Sequence, residues 1–550
     1  MKAIARLLPA LLCCVLSPRL GHAVDFAAHG YYRLRGSALQ DLDTQRPSTL
    51  ANTNDRFGLI QYNQMRLRVE PTLKVNDFLS LHTQFDILDN LTFGSQATKQ
   101  LEVLSPVVGT ITLPAGAGSL SVVGSEAGEN RSLNVRRAWI DIFTPIGKLR
   151  AGRQPSHWGL GIFQNDGNHR QGDFGDTADR VMFLTQQAIG TDGALTVGAL
   201  WDIAFEAQRD PRIGGLGTAI RDNGQDTNQY ALVAFYEEPR FAVGAYGGLR
   251  RRDGSTGTTT TATDINGVTQ AAGIDGDTLM YFLDAYGRVK IDPHHKVAFE
   301  YVRLGGKIST GVALNAIPFT GLAAPGIIQL PAKQDLAVNL AAVEAEGTYD
   351  WGGEWKLQGG FAEGDATPLS QRITQFGFRP DYNLGLLLFH HPLGTSPTLR
   401  NGTTGATLTG GVPITGNFIN NAFYGGATYL HRLDIRRAIR SANEFKVGGR
   451  VITAWAHKPP VSLNFAEILG NANMPSIESR GKWYGVEFDL VAEARFFDHL
   501  FTSLEAGYLW PGSAYNIDVG LIDPGSIVAT MPYDKANPAY GGRLTLSLEF

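Results

Sequence analysis

The feature that most constrains the fold is a run of roughly ten residues in which apolar and charged side chains alternate, repeated along the whole chain. The clearest example is QMRLRVEPTLKV, in which Met65 and Leu67 share one face while Arg66, Arg68 and Lys74 share the other. Successive side chains of a β-strand point to opposite sides. Each run is therefore predicted to be a strand with one apolar and one charged face.

The spacing of these runs predicts how the strands are connected. Short connections such as VNDF near 76 and TPIG near 145 alternate with long segments rich in Gly, Ser, Thr, Asn and Asp. Short turns at one end and long loops at the other are typical of a transmembrane barrel. The predicted fold is all-β, a transmembrane antiparallel β-barrel with short periplasmic turns and long extracellular loops. We count 18 strands, with 16 as the alternative, starting near 26, 59, 78, 133, 147, 178, 193, 227, 240, 278, 295, 337, 354, 423, 443, 481, 499 and 541.

The first 23 residues have the pattern of a cleavable secretory signal, with a basic start, a short apolar run and small residues at the end. The predicted organisation is a signal peptide over 1–23 and the barrel over 24–550. Both cysteines fall in the signal, which excludes disulfides and thiolate sites from the mature chain. The net charge of −4, with no basic stripe, argues against a nucleic-acid partner. The sequence indicates no cofactor.

The chain ends in GGRLTLSLEF, which places an apolar row on one face of the last strand, formed by Leu544, Leu546, Leu548 and Phe550. This row resembles the C-terminal targeting signal of bacterial outer-membrane barrels, which the barrel-assembly machinery reads. The resemblance implies location in the cell outer membrane, with membrane lipid and that machinery as partners.

Other stretches resemble large barrels of the porin and alginate-export type. The segment VRRAWIDIFTPIGKLRAGRQ (135–154) is similar to adjacent strands of general porins, and YGVEFDL and SLEAGYLWPGSAY resemble closing strands of the 18-stranded alginate-export type. FGDTADRVMF (174–183) and FRPDYNLGLLLF (378–389) look like segments of that broad group. The resemblance implies architecture and supplies no binding site.

A barrel of this size encloses water unless a loop fills it. The residues predicted to line the pore are Arg33, Arg35, Arg66, Arg68, Lys74, Arg150, Arg288, Lys290, Arg450, Glu487, Asp489 and Glu493. Two interpretations stay open: a wall of mutually neutralised charges, or an arginine-lined path that attracts anionic groups. Because the first and last strands touch in a closed barrel, Arg33 and Arg35 are expected to pair with Glu549 or with neighbours such as Glu505.

Two segments are candidates for folding into the pore or capping its mouth, 91–131 and 364–418, which both contain apolar runs. The stretch NDGNHRQGDFGD (165–176) offers weak calcium candidates in Asp166, Asp173 and Asp176, but its spacing does not fit the EF-hand pattern. We therefore predict no metal site and interpret this stretch as a polar surface loop.

The sequence favours a porin-like channel for hydrophilic or anionic solutes, working by passive diffusion or by polysaccharide export. Two alternatives remain: a structural or surface-interaction barrel with a blocked lumen, and a barrel hydrolase. The SHW (156–158) and DH (498–499) pairs have no recognisable motif around them, so no catalytic residue and no enzyme activity are predicted.

Overall fold

The chain forms one large antiparallel barrel. The computed structural model describes residues 24–44, 58–92, 133–205, 227–252, 259–263, 269–273, 278–309, 333–366, 372–394, 399–401, 407–409, 413–436, 439, 441–460, 462–464, 476–479, 481–519, 527–529 and 536–550. The predicted signal peptide over 1–23, and nearly all of the predicted pore segment 91–131, lie outside these residues.

Eighteen long strands make up the wall. They are β1 (Asp25–Gln40), β2 (Leu59–Asn76), β3 (Leu79–Thr92), β4 (Leu133–Thr144), β5 (Gly147–Pro155), β6 (Thr177–Ile189), β7 (Gly193–Phe205), β8 (Thr227–Glu237), β9 (Phe241–Arg252), β10 (Thr278–Lys290), β11 (His295–Ser309), β12 (Lys333–Thr348), β13 (Gly353–Ala362), β14 (Ala422–Arg432), β15 (Ala442–Ala456), β16 (Trp483–Phe496), β17 (Leu500–Pro511) and β18 (Ala539–Glu549).

The long connections between barrel strands contain short strands of their own. Thr259–Thr263 pairs with Thr269–Gly273, and Arg372–Ile373 adds in parallel to the loop end of β12. Two three-stranded pieces and one 3₁₀ turn follow, formed by Leu399–Asn401, Thr407–Thr409 and Ile527–Ala529, by Ser462–Asn464, Ser476–Ser479 and Ile517–Val519, and by Ser513–Tyr515.

The barrel closes because the first and last strands pair. Ten residue pairs join β1 to β18, from Tyr31 opposite Glu549 to Gln40 opposite Tyr540. The terminal Phe550 continues the ladder, since its backbone exchanges hydrogen bonds of 2.9 and 3.0 Å with Gly30. Closure leaves no sheet edge, which a sheet in hydrocarbon requires because no water is present to satisfy its backbone groups.

The predicted strand count is confirmed. Each of the 18 barrel strands begins within four residues of its predicted start, and the alternative count of 16 is wrong. The described chain begins with residue 24 and ends with Phe550, and both lie at the end of the barrel that carries the short turns, as predicted for the mature chain. Alternation succeeds as a guide here because one face of every strand must be apolar.

The outward face is an apolar belt. Leu232, Leu283, Leu490 and Leu504 expose between half and three quarters of their surface. A protein surface that faces water rarely carries so large an apolar area. Exposed aromatic side chains concentrate near the strand ends, at Trp201, Tyr230, Trp455, Trp510 and Tyr540 toward the long loops and at Tyr349, Trp351 and Tyr429 toward the short turns. Two aromatic rims around an apolar band are the outer surface of a transmembrane barrel.

In the described part of the chain, no helix has the length and apolar character needed to cross a bilayer.

Candidate functional site

Two connections fold into the barrel and contact its inner wall. We call residues 156–176, which follow β5, segment A, and residues 372–394, which precede β14, segment B. Segment B lies within the predicted pore segment 364–418. Residues 165–176 of segment A were interpreted from the sequence as a polar surface loop, and that interpretation is wrong: their backbone carbonyl groups accept hydrogen bonds from arginines of the wall.

Segment A is fixed to one wall by Glu300 of β11. One carboxylate oxygen of Glu300 accepts hydrogen bonds from the backbone N–H groups of Leu160 and Gly161, at 2.5 and 2.9 Å. The backbone comes this close because Gly159 and Gly161 adopt φ values of +61° and +85°. A Cβ atom on Gly159 would lie 2.6 Å from the Glu300 carboxylate, so a larger residue would push the chain off this anchor.

Segment A then meets the opposite wall, which is rich in arginine. Arg66 of β2 donates to the carbonyl oxygens of Gly172 and Asp173, at 2.9 and 3.0 Å. Arg137 of β4 donates to the carbonyl oxygen of Asp166 at 2.6 Å. A loop whose carbonyl groups are satisfied by buried guanidinium groups is held firmly, because charged hydrogen bonds are stronger than neutral ones.

A β-bulge increases the number of arginines on this wall. Gln84 of β3 pairs with Arg137 and the next residue, Phe85, pairs with Val135, which leaves Arg136 as the extra residue. The bulge lets Arg136 and Arg137 both reach segment A, where Arg136 donates to the carbonyl oxygen of Gly175 at 3.1 Å. The sequence signal for this bulge is the RR pair, which interrupts the strict alternation of β4.

Segment B is fixed to the wall by Glu487 of β16. The Glu487 carboxylate accepts hydrogen bonds from the backbone N–H groups of Leu386, Leu387 and Leu388, at 2.6 to 2.7 Å. Asp489 also accepts from Leu386, at 3.2 Å. The buried carboxylates thus satisfy a backbone turn that the wall strands themselves do not pair.

The apolar LGLLLF run of segment B rests on glycines of the inner wall. Leu386 lies over Gly507 of β17, and Leu387 lies over Gly541 of β18, where a Cβ atom would come within 2.7 Å of the leucine side chain. Leu386, Leu387 and Leu388 are almost completely buried. The run is therefore a small apolar core between segment B and the wall, which explains why it is apolar in a loop.

The two segments also bind each other. The Asp381 carboxylate of segment B accepts hydrogen bonds from the backbone N–H groups of Asp173 and Gly175, at 2.7 and 2.6 Å. Arg379 forms a bidentate ion pair with Asp176, in which the Arg379 Nε lies 2.6 Å from a carboxylate oxygen. Segments A and B therefore form one connected body inside the barrel.

Asp173 joins this body to β1. Its two carboxylate oxygens accept hydrogen bonds from Arg33 and Arg35, at 2.6 and 2.5 Å. Burial alone would raise the pKa of Asp173, but Arg35, Arg33 and Arg66 outweigh it and hold that pKa well below its usual 3.8. The carboxylate is ionised wherever the protein is folded near neutral pH.

The expected pairing of Arg33 and Arg35 with Glu549 or Glu505 is wrong. Asp173 of segment A takes both arginine side chains on the lumen side of the β1–β18 ladder, and Glu549 binds Arg170 of segment A instead. Glu505 pairs with Arg543 at 3.0 Å. Arg33, Arg35 and Glu549 therefore form their ion pairs with segment A, because this segment occupies the lumen in front of β1.

The residues predicted to line the pore occupy three kinds of place. Arg33, Arg35, Arg66 and Arg68 lie buried under segment A, and Glu487 and Asp489 lie buried under segment B. Arg150, Arg288, Arg450 and Glu493 are half-buried, and Lys74 and Lys290 are exposed toward the short-turn end. Their role in lining a conducting path stays a prediction.

The three calcium candidates are used in other ways. Asp173 and Asp176 pair with arginines, and Asp166 accepts a hydrogen bond from the backbone N–H of Asn168 at 3.1 Å. Across the described ranges, no group of three or more acidic, histidine or cysteine side chains is arranged to hold a metal ion.

Sequence reasoning missed four residues that organise this site, namely Arg136, Arg379, Asp381 and Arg543. Arg379 and Asp381 stand in FRPDYN, a loop stretch whose partners are about two hundred residues away. No local pattern reveals such a partner. Only the RR pair at 136–137 carried a usable signal, because it breaks the strand period.

The closed sheet, its apolar outer belt and its charged interior define the class: the protein is an 18-stranded transmembrane β-barrel of the outer-membrane type. No family model matches the chain, and no curated protein does.

Solved structures with a similar fold include OccK9 (OpdG) of Pseudomonas aeruginosa, at 10% identity and a TM-score of 0.40, covering 96% of this chain and 99% of that one. The anion-selective porin of Comamonas acidovorans matches at 10% identity and a TM-score of 0.37, covering 96% and 100%. Wzi of Escherichia coli, a carbohydrate-binding β-barrel involved in capsule assembly, matches at 12% identity and a TM-score of 0.36, covering 94% and 84%. Such distant likenesses say nothing about a solute.

Proposed function

We propose that this barrel is an outer-membrane channel for small hydrophilic solutes whose passage is narrowed by segments A and B. One observation carries the proposal: the two segments lie inside the barrel, bound to its wall through Glu300 of β11 and Glu487 of β16 and to each other through Asp381. Inward loops that are anchored to the wall restrict what passes, and charged groups beside them set selectivity.

The inner wall near the periplasmic turns offers an entrance. A recess of about 470 Å³ opens there, with lining residues that include Lys290, Lys296, Glu346 and Lys356. Lys296 and Glu346 form an ion pair at 2.5 Å, and both are partly exposed. A polar, solvent-facing recess suits a hydrated solute better than an apolar one.

The same anchors favour small solutes over polysaccharide export. A polymer in transit would need both segments to leave the lumen together, because Asp381 and Arg379 join them. Moving segment A out of the lumen also breaks the buried ion pairs of Asp173 with Arg33 and Arg35, and separating buried charges is costly. Small solutes require smaller displacements.

Planar bilayer recording tests the proposal. Purified protein added to a lipid bilayer in symmetrical KCl should give discrete current steps, and a KCl gradient should give a reversal potential on the anion-preferring side because the wall facing segment A is rich in arginine. A cation-preferring pore would contradict the arginine path. Absence of any steady current would overturn the channel itself.

The second candidate is a barrel whose lumen is blocked and whose loops bind at the cell surface. The observation that favours it is the burial of Arg33, Arg66 and Arg137, which expose 2%, 0% and 1% of their surface beneath segment A. This alternative predicts no conductance in the wild type and none in variants that separate the segments.

A further inference from the structure

Three arginines of the wall meet at one carboxylate of segment A. Arg33 and Arg35 of β1 each donate to a different oxygen of Asp173. A guanidinium nitrogen of Arg66 on β2 lies 4.0 Å from the same carboxylate. One cation on each oxygen is the arrangement that a planar carboxylate accepts, and we call these three residues the arginine clamp.

The clamp is unfavourable without an anion. Arg33 and Arg66 are direct cross-strand partners, and like charges placed opposite each other destabilise a sheet. Asp89 relieves Arg66, with an oxygen 2.6 Å from it. Of the residues that the structure describes, Asp173 is the one carboxylate within ion-pair distance of Arg33 and of Arg35. The wall therefore depends on an anion that comes from a loop.

Space and spare donors lie beside the clamp. A cavity of about 40 Å³ is bounded by Arg35, Asp173, Asn383, His391 and Arg543, among others. Arg35 and Arg543 are both more than nine-tenths buried. Their Nε–H groups are also buried and have no hydrogen-bond partner. A cavity of this size exceeds the minimum volume that one water molecule needs, so a small polar group can enter beside the clamp.

We propose that the arginine clamp is a binding site for the carboxylate group of a transported solute, and that Asp173 is the internal ligand with which that carboxylate exchanges. The inference rests on the proposed channel function and names its substrate class, small hydrophilic carboxylates. A wall carboxylate would neutralise the clamp permanently, whereas a carboxylate on a connection leaves when the connection moves. Asp173 thus keeps the clamp neutral between solutes.

Uptake of matched solutes into protein-containing phosphatidylcholine vesicles tests this inference. Gluconate and sorbitol have similar size and differ in charge. The wild type should take up gluconate faster than sorbitol. Asp173→Asn removes the internal competitor, so the gluconate concentration at half-maximal uptake should fall about tenfold, which corresponds to the loss of one strong charged contact. Sorbitol uptake should change little.

A charge-matched variant protects the test against misfolding. R35Q/D173N removes one cation and one anion together, so the net charge of the site is unchanged, and it should abolish the preference for gluconate. Asp192→Asn makes the same chemical change as Asp173→Asn on an exposed short turn and should behave as the wild type. A heat-dependent shift in gel mobility verifies that each variant is a folded barrel.

The outcomes separate the inference from the channel function. Equal uptake of gluconate and sorbitol, unaltered by both clamp variants, would overturn the carboxylate site while leaving the channel. An equal rise for both solutes in Asp173→Asn would reduce Asp173 to a latch and overturn the site. Tighter saturation by glycerol 3-phosphate than by gluconate would overturn the solute class. Uptake of neither solute would defeat the proposed channel itself.

Discussion

The carboxylate of Asp381 lies against the backbone of Asp173 and accepts a hydrogen bond of 2.7 Å from its N–H group. One loop thereby holds the other from a distance of 208 residues along the chain. The contact is central because Asp173 carries the charge that neutralises Arg33 and Arg35 of β1.

Asp381→Asn should loosen the contact between the segments. The amide keeps one acceptor oxygen but loses the negative charge, which weakens the contact by about 1.5–3 kcal/mol. We expect larger and noisier single-channel currents in planar bilayers. Asp350→Asn is the control, because that side chain is 95% exposed on a periplasmic turn. Identical current traces for Asp381→Asn and the wild type would contradict a restricting role for the joined segments.

Glu487→Ala should destabilise the barrel. It leaves three backbone N–H groups of segment B without their acceptor, and each unsatisfied buried group costs about 1–3 kcal/mol. The midpoint of urea unfolding in detergent measures the loss. Glu237→Ala removes a half-exposed partner of Arg288 and should cost less than about 1 kcal/mol. Equal midpoints for the two variants would show that Glu487 is no anchor.

Leu490→Arg should destabilise the barrel through its outer face. Leu490 lies mid-strand in β16 and exposes 72% of its surface to the predicted lipid. An arginine at this depth costs about 2–4 kcal/mol in a lipid-embedded barrel. Gln358→Arg adds the same charge inside the barrel, beside Glu344, and should be nearly neutral. Urea unfolding from lipid vesicles measures both losses. A larger loss of unfolding free energy in Gln358→Arg than in Leu490→Arg would contradict the assignment of the outer face to lipid.

The stability contributed by His391 should depend on pH. Burial, followed by Arg543 and Arg35, lowers the pKa of this histidine to about 3. The folded barrel keeps it neutral, while the unfolded chain binds a proton below about pH 6.5. The unfolding free energy therefore falls as pH drops below 6.5, by about 2 kcal/mol between pH 7 and pH 5. Urea unfolding of His391→Gln should lack this component, and parallel pH curves for both proteins would refute it.

Phe550→Ala should reduce assembly in the outer membrane. Phe550 extends the closing ladder, and its ring lies against Gly30, where a Cβ atom would approach it to 2.8 Å. The apolar row of Leu544, Leu546, Leu548 and Phe550 is the predicted signal for the assembly machinery. The fraction of heat-modifiable protein in isolated outer membranes measures assembly. Phe78→Ala, on an exposed periplasmic turn, is the control, and equal fractions for both variants would remove Phe550 from the signal.

The wall was predictable from the sequence, and most of its contents were not. Each run such as QMRLRV predicts from its own residues which side chains face lipid, because a strand in a membrane must keep one apolar face along its whole length. The inward direction of Arg33 and Arg66 followed from the same alternation. Their partner did not, because Asp173 stands in a loop with no period and more than one hundred residues away.

By itself, the sequence determined a barrel of 16 or 18 strands, the approximate start of each strand, the face of each strand that meets lipid and the seam that closes on Phe550. The tertiary structure alone decided that residues 156–176 turn inward, that residues 372–394 of the candidate segment 364–418 enter the lumen rather than cap its mouth, that Asp381 joins the two and that Asp173 neutralises the arginines of β1. Periodicity encodes the contact of a strand with a uniform solvent, lipid outside and water inside. The position of a loop depends instead on single contacts between distant residues, and those exist only once the barrel has closed.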